Sequence, residues 1–371
     1  MIYLDNAATS FPKPRSVIKK VDECIKKYCG NPGRSGHFLS MKCAEEIYST
    51  REKIATLLSF EKPENVVFCT NATYALNIAI KTLVPKGSHV LTSDIEHNSV
   101  LRPLETLSVK KQIEYSVFST EGDISENIKK NIKPNTKAIV CSLTSNVTGK
   151  NIPLEILSNI KEQYGIILIL DASQRIGHRQ IDLSKYQFDA ICAPGHKSLF
   201  GIQGCGFMVL SNGASKDTFI EGGNGANSKS LLMPEYLPER FEAGTLPTPS
   251  IISLGEGISF IKSYGIDQIA KKIDYLTDIY KERLVNLAKY KIYGSNGIIS
   301  FFSDEVPSSI IANELSSQKI CVRSGFHCAP LIHSSLGSEK FGTVRISLSV
   351  FNTVKEADIL YKTLKEIQNK Y

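Results

Sequence analysis

The sequence lacks the features that mark membrane, secreted and metal-binding proteins. No apolar run approaches the ~20 residues that a membrane-spanning helix requires, and no basic stretch opens the chain, so we expect neither a membrane anchor nor a signal peptide. The nine cysteines include no Cys-x-x-Cys pair, and no set of Cys and His has the spacing of metal ligands. We therefore expect free thiols in a reducing cytoplasm and no bound metal.

The composition also disfavours disorder and nucleic-acid binding. Of the 371 residues, 42% are hydrophobic and 22% charged, which is typical of a folded protein long enough for two domains. Lys and Arg number 44 against 37 Asp and Glu, a net charge of +7, but the lysines are scattered along the chain. Scattered lysines are typical of solvated helix faces, so we expect no nucleic-acid partner.

Seven short β-rich runs alternate with helical stretches between residues 65 and 211. Most are continuously apolar, as expected of strands buried on both faces, which predicts an α/β fold with a seven-stranded, mostly parallel sheet. A smaller α/β unit is predicted beyond the Gly- and Pro-rich residues 221–249. We place a large domain at residues 16–250 and a small one at 1–15 plus 251–371. The runs are 65–70, 89–94, 113–118, 136–145, 165–171, 188–193 and 205–211.

Polar side chains follow five of these runs. Ligands of open α/β sheets bind at the carboxyl ends of the strands, so we expect these side chains to form one site. They are Thr73, His97, Asn146, Asp171 with Gln174, and His196 with Lys197.

This set matches what pyridoxal 5′-phosphate requires. Lys197 offers an amine for a Schiff base with the aldehyde, and Asp171 offers a carboxylate that keeps the pyridine nitrogen protonated. The helix that begins near Ala72 and Thr73 suits a phosphate, and His97 is suited to stack on the ring. A serine hydrolase is disfavoured because the sequence has no Gly-x-Ser-x-Gly motif.

In this order the motifs resemble the class V aminotransferase group of fold-type I pyridoxal phosphate enzymes. Within that group they are most similar to the cysteine desulfurases, nearest the SUF-type (group II) branch and the selenocysteine lyases, and the resemblance covers almost the whole chain. The blocks that carry it are Tyr3-Leu4-Asp5-Asn6-Ala7-Ala8, Glu96-His97, Ser145-Asn146, Asp171-Ala172-Ser173-Gln174, Gly195-His196-Lys197, Glu242-Ala243-Gly244-Thr245, Arg323-Ser324-Gly325-Phe326-His327-Cys328-Ala329 and Val344-Arg345-Ile346-Ser347.

The resemblance implies a role for each candidate residue. Thr245 resembles the residue that reaches the phosphate of the other subunit, which implies a homodimer with shared sites. Arg345 resembles the fork that grips the substrate α-carboxylate, with Asn146 beside substrate and cofactor. Gln174 resembles the donor to the 3-hydroxyl oxygen, and His196 a phosphate ligand. The implied cofactor-binding set is Ala72, Thr73, His97, Asn146, Asp171, Gln174, His196, Lys197 and Thr245.

Cys328 decides which reaction the resemblance implies. In the desulfurases the cysteine at this position attacks the substrate sulfur and becomes a persulfide as alanine leaves, and an acceptor protein then takes the sulfur. The attack needs a thiolate, which His327 and Arg323 are expected to favour. We therefore expect L-cysteine as substrate. A selenocysteine lyase, a class V aminotransferase and a non-catalytic docking scaffold stay open as alternatives.

Four positions depart from the family's pattern. Pro194 stands where a hydroxyl residue is usual, so one phosphate hydrogen bond should be missing. Asn98 and Phe326 each replace a histidine, and Ile202 replaces a proline. These departures bear on the choice of substrate and acceptor.

Overall fold

The computed structural model describes residues 1–33, 36–211 and 217–371, which form thirteen strands and eleven α-helices. The strands are β1 (Ile2–Tyr3), β2 (Val66–Cys69), β3 (Ser88–Ser93), β4 (Ile113–Phe118), β5 (Thr136–Ser142), β6 (Ile167–Asp171), β7 (Ala190–Pro194), β8 (Gly206–Leu210), β9 (Lys291–Ser295), β10 (Ile298–Phe302), β11 (Ile320–Cys321), β12 (Arg323–Gly325) and β13 (Thr343–Ser347). The helices are α1 (Arg15–Lys27), α2 (Phe38–Leu57), α3 (Ala72–Leu83), α4 (Asn98–Val109), α5 (Ile124–Asn131), α6 (Leu154–Tyr164), α7 (Thr248–Tyr264), α8 (Ile266–Leu284), α9 (Ser308–Ser317), α10 (Ile332–Leu336) and α11 (Val354–Lys370).

The seven predicted strands form one sheet in the order β2-β8-β7-β6-β5-β3-β4. Strands β3 to β7 run parallel to one another, and β8 is antiparallel to both β2 and β7. The prediction of a seven-stranded, mostly parallel sheet is confirmed.

The core lies on both faces of this sheet. Along β5, Ile139 and Cys141 pack into one hydrophobic cluster, while Ala138 and Val140 pack into another on the opposite face. All four side chains are fully buried. An apolar run without alternation is what such a doubly covered strand needs, because either face of the strand meets helices rather than water.

A four-stranded antiparallel sheet, ordered β12-β13-β10-β9, is built from the last third of the chain. The first residues join this part, since β1 pairs in parallel with β11 and Asp5 bridges to Ser347. The domain division at residues 16–250 stays a prediction. None of the helices within the described residues is long and apolar enough to cross a bilayer.

Local signals place several helix ends correctly. Helix α6 closes on Gly165, which takes the left-handed conformation with a φ of 62°, and Thr353 with Glu356 forms the capping box that starts α11. The sequence predicts one long helix over residues 266–290, but α8 ends at Leu284. Leu287 and Tyr290 remain buried in the turns that follow, so the apolar pattern continues where the helix does not.

Candidate active site

A cavity of about 150 Å³ opens at the carboxyl ends of the strands in the large sheet. The cavity is lined by side chains that follow or end β2, β3, β5, β6 and β7. The carboxyl ends of these strands meet at the same edge of the sheet, so residues there lie close together. The structure therefore brings most of the predicted site residues together. Those at the cavity are Ala72, Thr73, His97, Asn146, Asp171, Gln174, His196 and Lys197.

The first turn of α3 forms one wall of the cavity. Asn71 caps this helix by accepting a hydrogen bond from the Tyr74 backbone N–H at 3.0 Å. This cap does not use the N–H groups of Ala72 and Thr73, two residues that line the cavity. Thr73 Oγ1 lies 2.7 Å from Ser99 Oγ. Gly206 of β8 permits this placement, because a Cβ there would lie 2.5 Å from the Asn71 carbonyl carbon. The wall offers backbone N–H groups and hydroxyls, which are ligands of phosphate.

His97 is a neutral imidazole at this site. It caps α4, and its Nδ1 accepts a hydrogen bond from the Ser99 backbone N–H at 3.0 Å, so the ring proton is on Nε2. The pKa of His97 is lowered to about 4, mainly by burial, to which the positive charges of Lys197 and Arg323 add and which Asp171 opposes. A neutral, fixed, flat ring is suited to stack on an aromatic cofactor.

Lys197 and Asp171 supply the amine and the carboxylate. Burial lowers the pKa of Lys197 to about 8, with Asp171 opposing this effect and Arg345 reinforcing it. Asp171 Oδ1 accepts a hydrogen bond from the Ser173 backbone N–H at 2.8 Å, which fixes the carboxylate at the end of β6. The lowered pKa gives Lys197 a large neutral fraction near pH 8, the form that reacts with an aldehyde.

Two buried polar atoms at the cavity have no partner among the described residues: His196 Nδ1 and Asn146 Oδ1. Buried polar atoms are normally paired, so each marks a place for a ligand atom. Gln174 Nε2 donates to the Ala7 carbonyl at 3.0 Å, which leaves its second N–H available. Pro194, also at the cavity, offers no side-chain donor, in line with the expected loss of one phosphate contact.

These residues fit pyridoxal 5′-phosphate. The helix start suits its phosphate, Asp171 its pyridine nitrogen, His97 its ring face and Lys197 its aldehyde. The two unpartnered atoms, His196 Nδ1 and Asn146 Oδ1, add two candidate contacts.

Cys328 lies next to this cavity, in the loop after β12. The loop is fixed by its backbone: the Asn98 N–H donates to the Cys328 carbonyl at 2.7 Å, and Asn146 Nδ2 donates to the His327 carbonyl at 2.8 Å. His327 and Cys328 both adopt left-handed φ values, 51° and 56°. Two non-glycine residues in succession with left-handed φ values are strained. These hydrogen bonds, and not the intrinsic backbone preference of the two residues, therefore hold the loop in this conformation.

Arg323, but not His327, faces the Cys328 sulfur. Arg323 Nη2 lies 3.6 Å from Cys328 Sγ. The His327 ring instead bonds through Nε2 to Thr343 Oγ1 at 2.9 Å, and burial holds its pKa well below the ordinary value. A neutral imidazole bound elsewhere cannot stabilise a thiolate, so the expectation for His327 is wrong.

Arg345 lies beside the cavity on β13 and is only 1% exposed. Its Nη1 donates to the Asn146 carbonyl at 3.0 Å, and its Nη2 pairs with Asp5 Oδ1 at 2.8 Å. Sequence reasoning assigned no role to Asp5. It stands in a motif of the resemblance, but nothing local signals an ion pair with a residue 340 positions away.

Thr245 does not join the other site residues. It is exposed and lines a separate cavity of about 570 Å³ together with Asn31, Asn224 and Tyr236. Its loop is anchored by Glu242, whose carboxylate pairs with Arg51 Nη2 at 2.6 Å and accepts the Phe68 N–H at 2.6 Å. Within one chain, Thr245 therefore contributes nothing to the Lys197 cavity.

Comparisons with known proteins give a consistent result. The family described as aminotransferase class-V matches residues 2–360. Probable cysteine desulfurases of Methanothermobacter thermautotrophicus and Pyrococcus abyssi are 31% and 32% identical, each over 99% of this chain and 94% of their own length. The apo structure of a cysteine desulfurase from Thermococcus onnurineus is similar with a TM-score of 0.88 at 28% identity, over all of this chain and 95% of that one.

Proposed function

Since this chain belongs to the aminotransferase class-V family, we propose that it is a pyridoxal phosphate-dependent cysteine desulfurase, which converts L-cysteine to L-alanine and carries the sulfur as a persulfide on Cys328. The observation that carries the proposal is the anchoring of the Cys328 loop to the cavity. Asn146 lines the cavity and also bonds the His327 carbonyl, so the loop that carries the Cys328 thiol is tied to a wall of the pocket that holds the Lys197 amine.

The residues of the chain divide the work as follows. Lys197 and Asp171 hold the cofactor, with His97 on the ring and Ala72, Thr73 and His196 toward the phosphate. When bound, pyridoxal phosphate supplies an electron sink for the charge released at the substrate Cα. The role of Arg345 is to bind the substrate α-carboxylate, for which its planar guanidinium is suited.

Proton transfer and sulfur attack are assigned to two side chains. The Lys197 amine, with a pKa of about 8, is the base that accepts the Cα proton near neutral pH. The Cys328 thiolate attacks the substrate sulfur, and a new S–S bond forms as the C–S bond breaks. The electron pair stays on carbon, which takes up a proton to give alanine. Arg323 stabilises the thiolate from 3.6 Å.

A homodimer with shared sites is part of the proposal. Thr245 is exposed in its own chain and sits on an anchored loop, as needed of a residue that serves a partner's site. Leu231 and Leu232, in the segment that leads to this loop, are 102% and 82% exposed. Exposed leucines of this kind favour burial against a second copy.

The sulfur acceptor is proposed to be another protein, and the compartment the cytoplasm. The nine cysteines are free thiols in the structure, which favours a reducing environment. A reducing environment also keeps Cys328 available for the next turnover.

The test is a comparison of alanine formation from L-cysteine and L-selenocysteine, with and without a thiol reductant, and of their turnover with and without a 2-oxo acid. A cysteine desulfurase forms alanine from cysteine and is stimulated by the reductant. Activity confined to selenocysteine would assign a selenocysteine lyase, and a strict need for a 2-oxo acid would assign an aminotransferase. If protein loaded with pyridoxal phosphate turns over none of these amino acids, the non-catalytic docking scaffold is the remaining alternative.

Attachment of pyridoxal phosphate to the apoprotein should follow the ionisation of Lys197. Only the neutral amine reacts, so the attachment rate should rise about ten-fold per pH unit below pH 8 and level off above it. An ordinary lysine, with a pKa near 10.4, would show the rise continuing for about two further units. The measurement is the initial rate at which the visible absorbance band grows between pH 6 and 10. The reaction of free Nα-acetyl-lysine with the cofactor, measured over the same range, corrects for the ionisation of the cofactor itself. A rate that still climbs ten-fold from pH 9 to 10 would contradict the assignment.

A further inference from the structure

The guanidinium of Arg345 makes two hydrogen bonds and keeps one buried N–H group without a partner among the described residues. Of its five N–H groups, one on Nη1 meets the Asn146 carbonyl and one on Nη2 meets Asp5 Oδ1. The Nε group is buried and has no partner within the described residues. A buried, unpaired charged donor is costly, so this open edge is built for an acceptor that arrives with a ligand.

Asp5 is held in place by its own backbone. Strand β1 pairs with β11, and Asp5 bridges to Ser347, two residues beyond Arg345. The Ala7 N–H donates to Ser347 Oγ at 2.8 Å, and the Asn6 N–H donates to the Ser347 carbonyl at 3.4 Å. These bonds, before and after Asp5 in the chain, fix its backbone relative to β13. Its carboxylate can therefore hold the Arg345 guanidinium in one orientation.

The same segment continues to the Lys197 side of the cavity. The carbonyl of His196, the residue before Lys197, accepts hydrogen bonds from the Ser10 N–H at 3.1 Å and from Lys13 Nζ at 2.9 Å. Residues 5–13 therefore connect the arginine that would bind the carboxylate to the peptide that carries the catalytic amine.

We propose that Asp5 is the positioning residue of the substrate-carboxylate site: it holds Arg345 by Nη2 so that the Nε edge faces the α-carboxylate of the incoming amino acid. The inference rests on the proposed function, because it takes Arg345 as the carboxylate ligand. Asp5 itself does not touch the substrate.

Charge balance supports this assignment. Three positive side chains lie close together here: Arg345, Arg323 and Lys197. Each affects the pKa of a neighbouring group, and the negative charges of Asp5 and Asp171 act in the opposite direction. Without Asp5 the guanidinium would lose its counter-charge and one of the two hydrogen bonds that fix its orientation. A ligand carboxylate would then have to order the arginine as it binds, which weakens binding.

The experiment measures amino-acid binding to the holoenzyme. L-alanine and ethylamine are titrated separately, and the visible absorbance of the bound cofactor reports each Kd. Ethylamine has the amine but no carboxylate, so it reports the Lys197 side alone. In Asp5→Ala we expect the Kd of alanine to rise about ten-fold or more and the Kd of ethylamine to stay within about two-fold.

Three further variants make the result specific. Asp5→Asn keeps an acceptor oxygen for Nη2 and should recover most of the alanine affinity. Arg345→Lys should lose alanine binding selectively, as the positive control. Tyr3→Phe removes the hydroxyl that donates to the Asp5 and Thr9 carbonyls, so it loosens the segment without altering the Asp5 carboxylate. We expect its ratio of alanine to ethylamine affinity to match the unaltered protein.

An unchanged or tighter Kd for alanine in Asp5→Ala would overturn the inference, and so would an equal loss for both ligands. These outcomes are separable from a failure of the proposed function. If the unaltered protein forms alanine from cysteine while Asp5→Ala binds alanine normally, only the inference fails. If carboxylate binding depends on Asp5 but no cysteine is turned over, only the function fails.

Discussion

Replacing Lys197 with alanine is expected to abolish covalent attachment of pyridoxal phosphate and to lower alanine formation by at least about 10²–10⁴-fold. The variant loses both the amine that holds the cofactor and the base for the Cα proton. The measurement combines the visible absorbance of the purified protein, borohydride reduction with peptide mass analysis, and the rate of alanine release.

Lys13→Ala is the matched control for this variant. Lys13 is also a largely buried lysine whose pKa burial lowers to about 8, but its Nζ bonds to Ser10 Oγ at 2.8 Å and to the His196 carbonyl. A low pKa alone would make both amines reactive, whereas only Lys197 lines the cavity. Reductive labelling should therefore occur at Lys197 in the unaltered protein and in Lys13→Ala. A label on Lys13, or an unchanged visible band in Lys197→Ala, would contradict the assignment.

The large sheet could be predicted because each of its strands can be recognised from its own stretch of sequence. A run such as residues 136–145, apolar at every position of its centre, suits a strand covered on both faces, and β5 is found there. The antiparallel direction of β8 has no such local signal. It depends on where the chain must return between β2 and β7, which is a property of the whole topology.

The cavity could be predicted from the same sheet, by asking which polar residues follow each strand. That reasoning finds His97, Asp171 and Lys197, because Asp171 ends a strand that the pattern reveals and the other two follow such strands within four residues. Arg345 and Cys328 lie on elements of the second sheet and its loops, and only the resemblance to a family pointed to them. How the two parts meet is set by long-range bonds, such as the one from Asn146 to His327.

Side-chain orientation is the part that sequence could not give. His327 and Arg323 are both close to Cys328 in sequence, yet only Arg323 reaches the sulfur. Thr343, which takes the His327 ring, is 16 residues further along the chain. The pairing of Asp5 with Arg345 likewise depends on the first strand joining the C-terminal part of the fold.

Replacing Cys328 with alanine is expected to separate cofactor binding from sulfur chemistry. The side chain of Cys328 does not line the cavity, and its loop is held through backbone atoms, so Cys328→Ala should keep the visible band and bind L-cysteine. Without the nucleophile, alanine and persulfide formation should fall by about 10³-fold or more, because no other group is placed to attack the substrate sulfur in that loop. The measurement is single-turnover alanine formation, with the persulfide detected by mass on the intact protein.

Cys321→Ala is the matched control, since Cys321 is also a free, half-buried thiol and precedes Cys328 by seven residues on the neighbouring strand β11. It pairs through its backbone with the first strand, where its carbonyl accepts the Leu4 N–H at 2.9 Å, so removal of its thiol should leave the persulfide and the rate unchanged. Arg323→Lys should give an intermediate rate, because a charge remains but the guanidinium group that reaches Cys328 Sγ is lost. Normal alanine formation by Cys328→Ala, or a persulfide found on Cys321 instead, would assign the nucleophile elsewhere and with it the reaction.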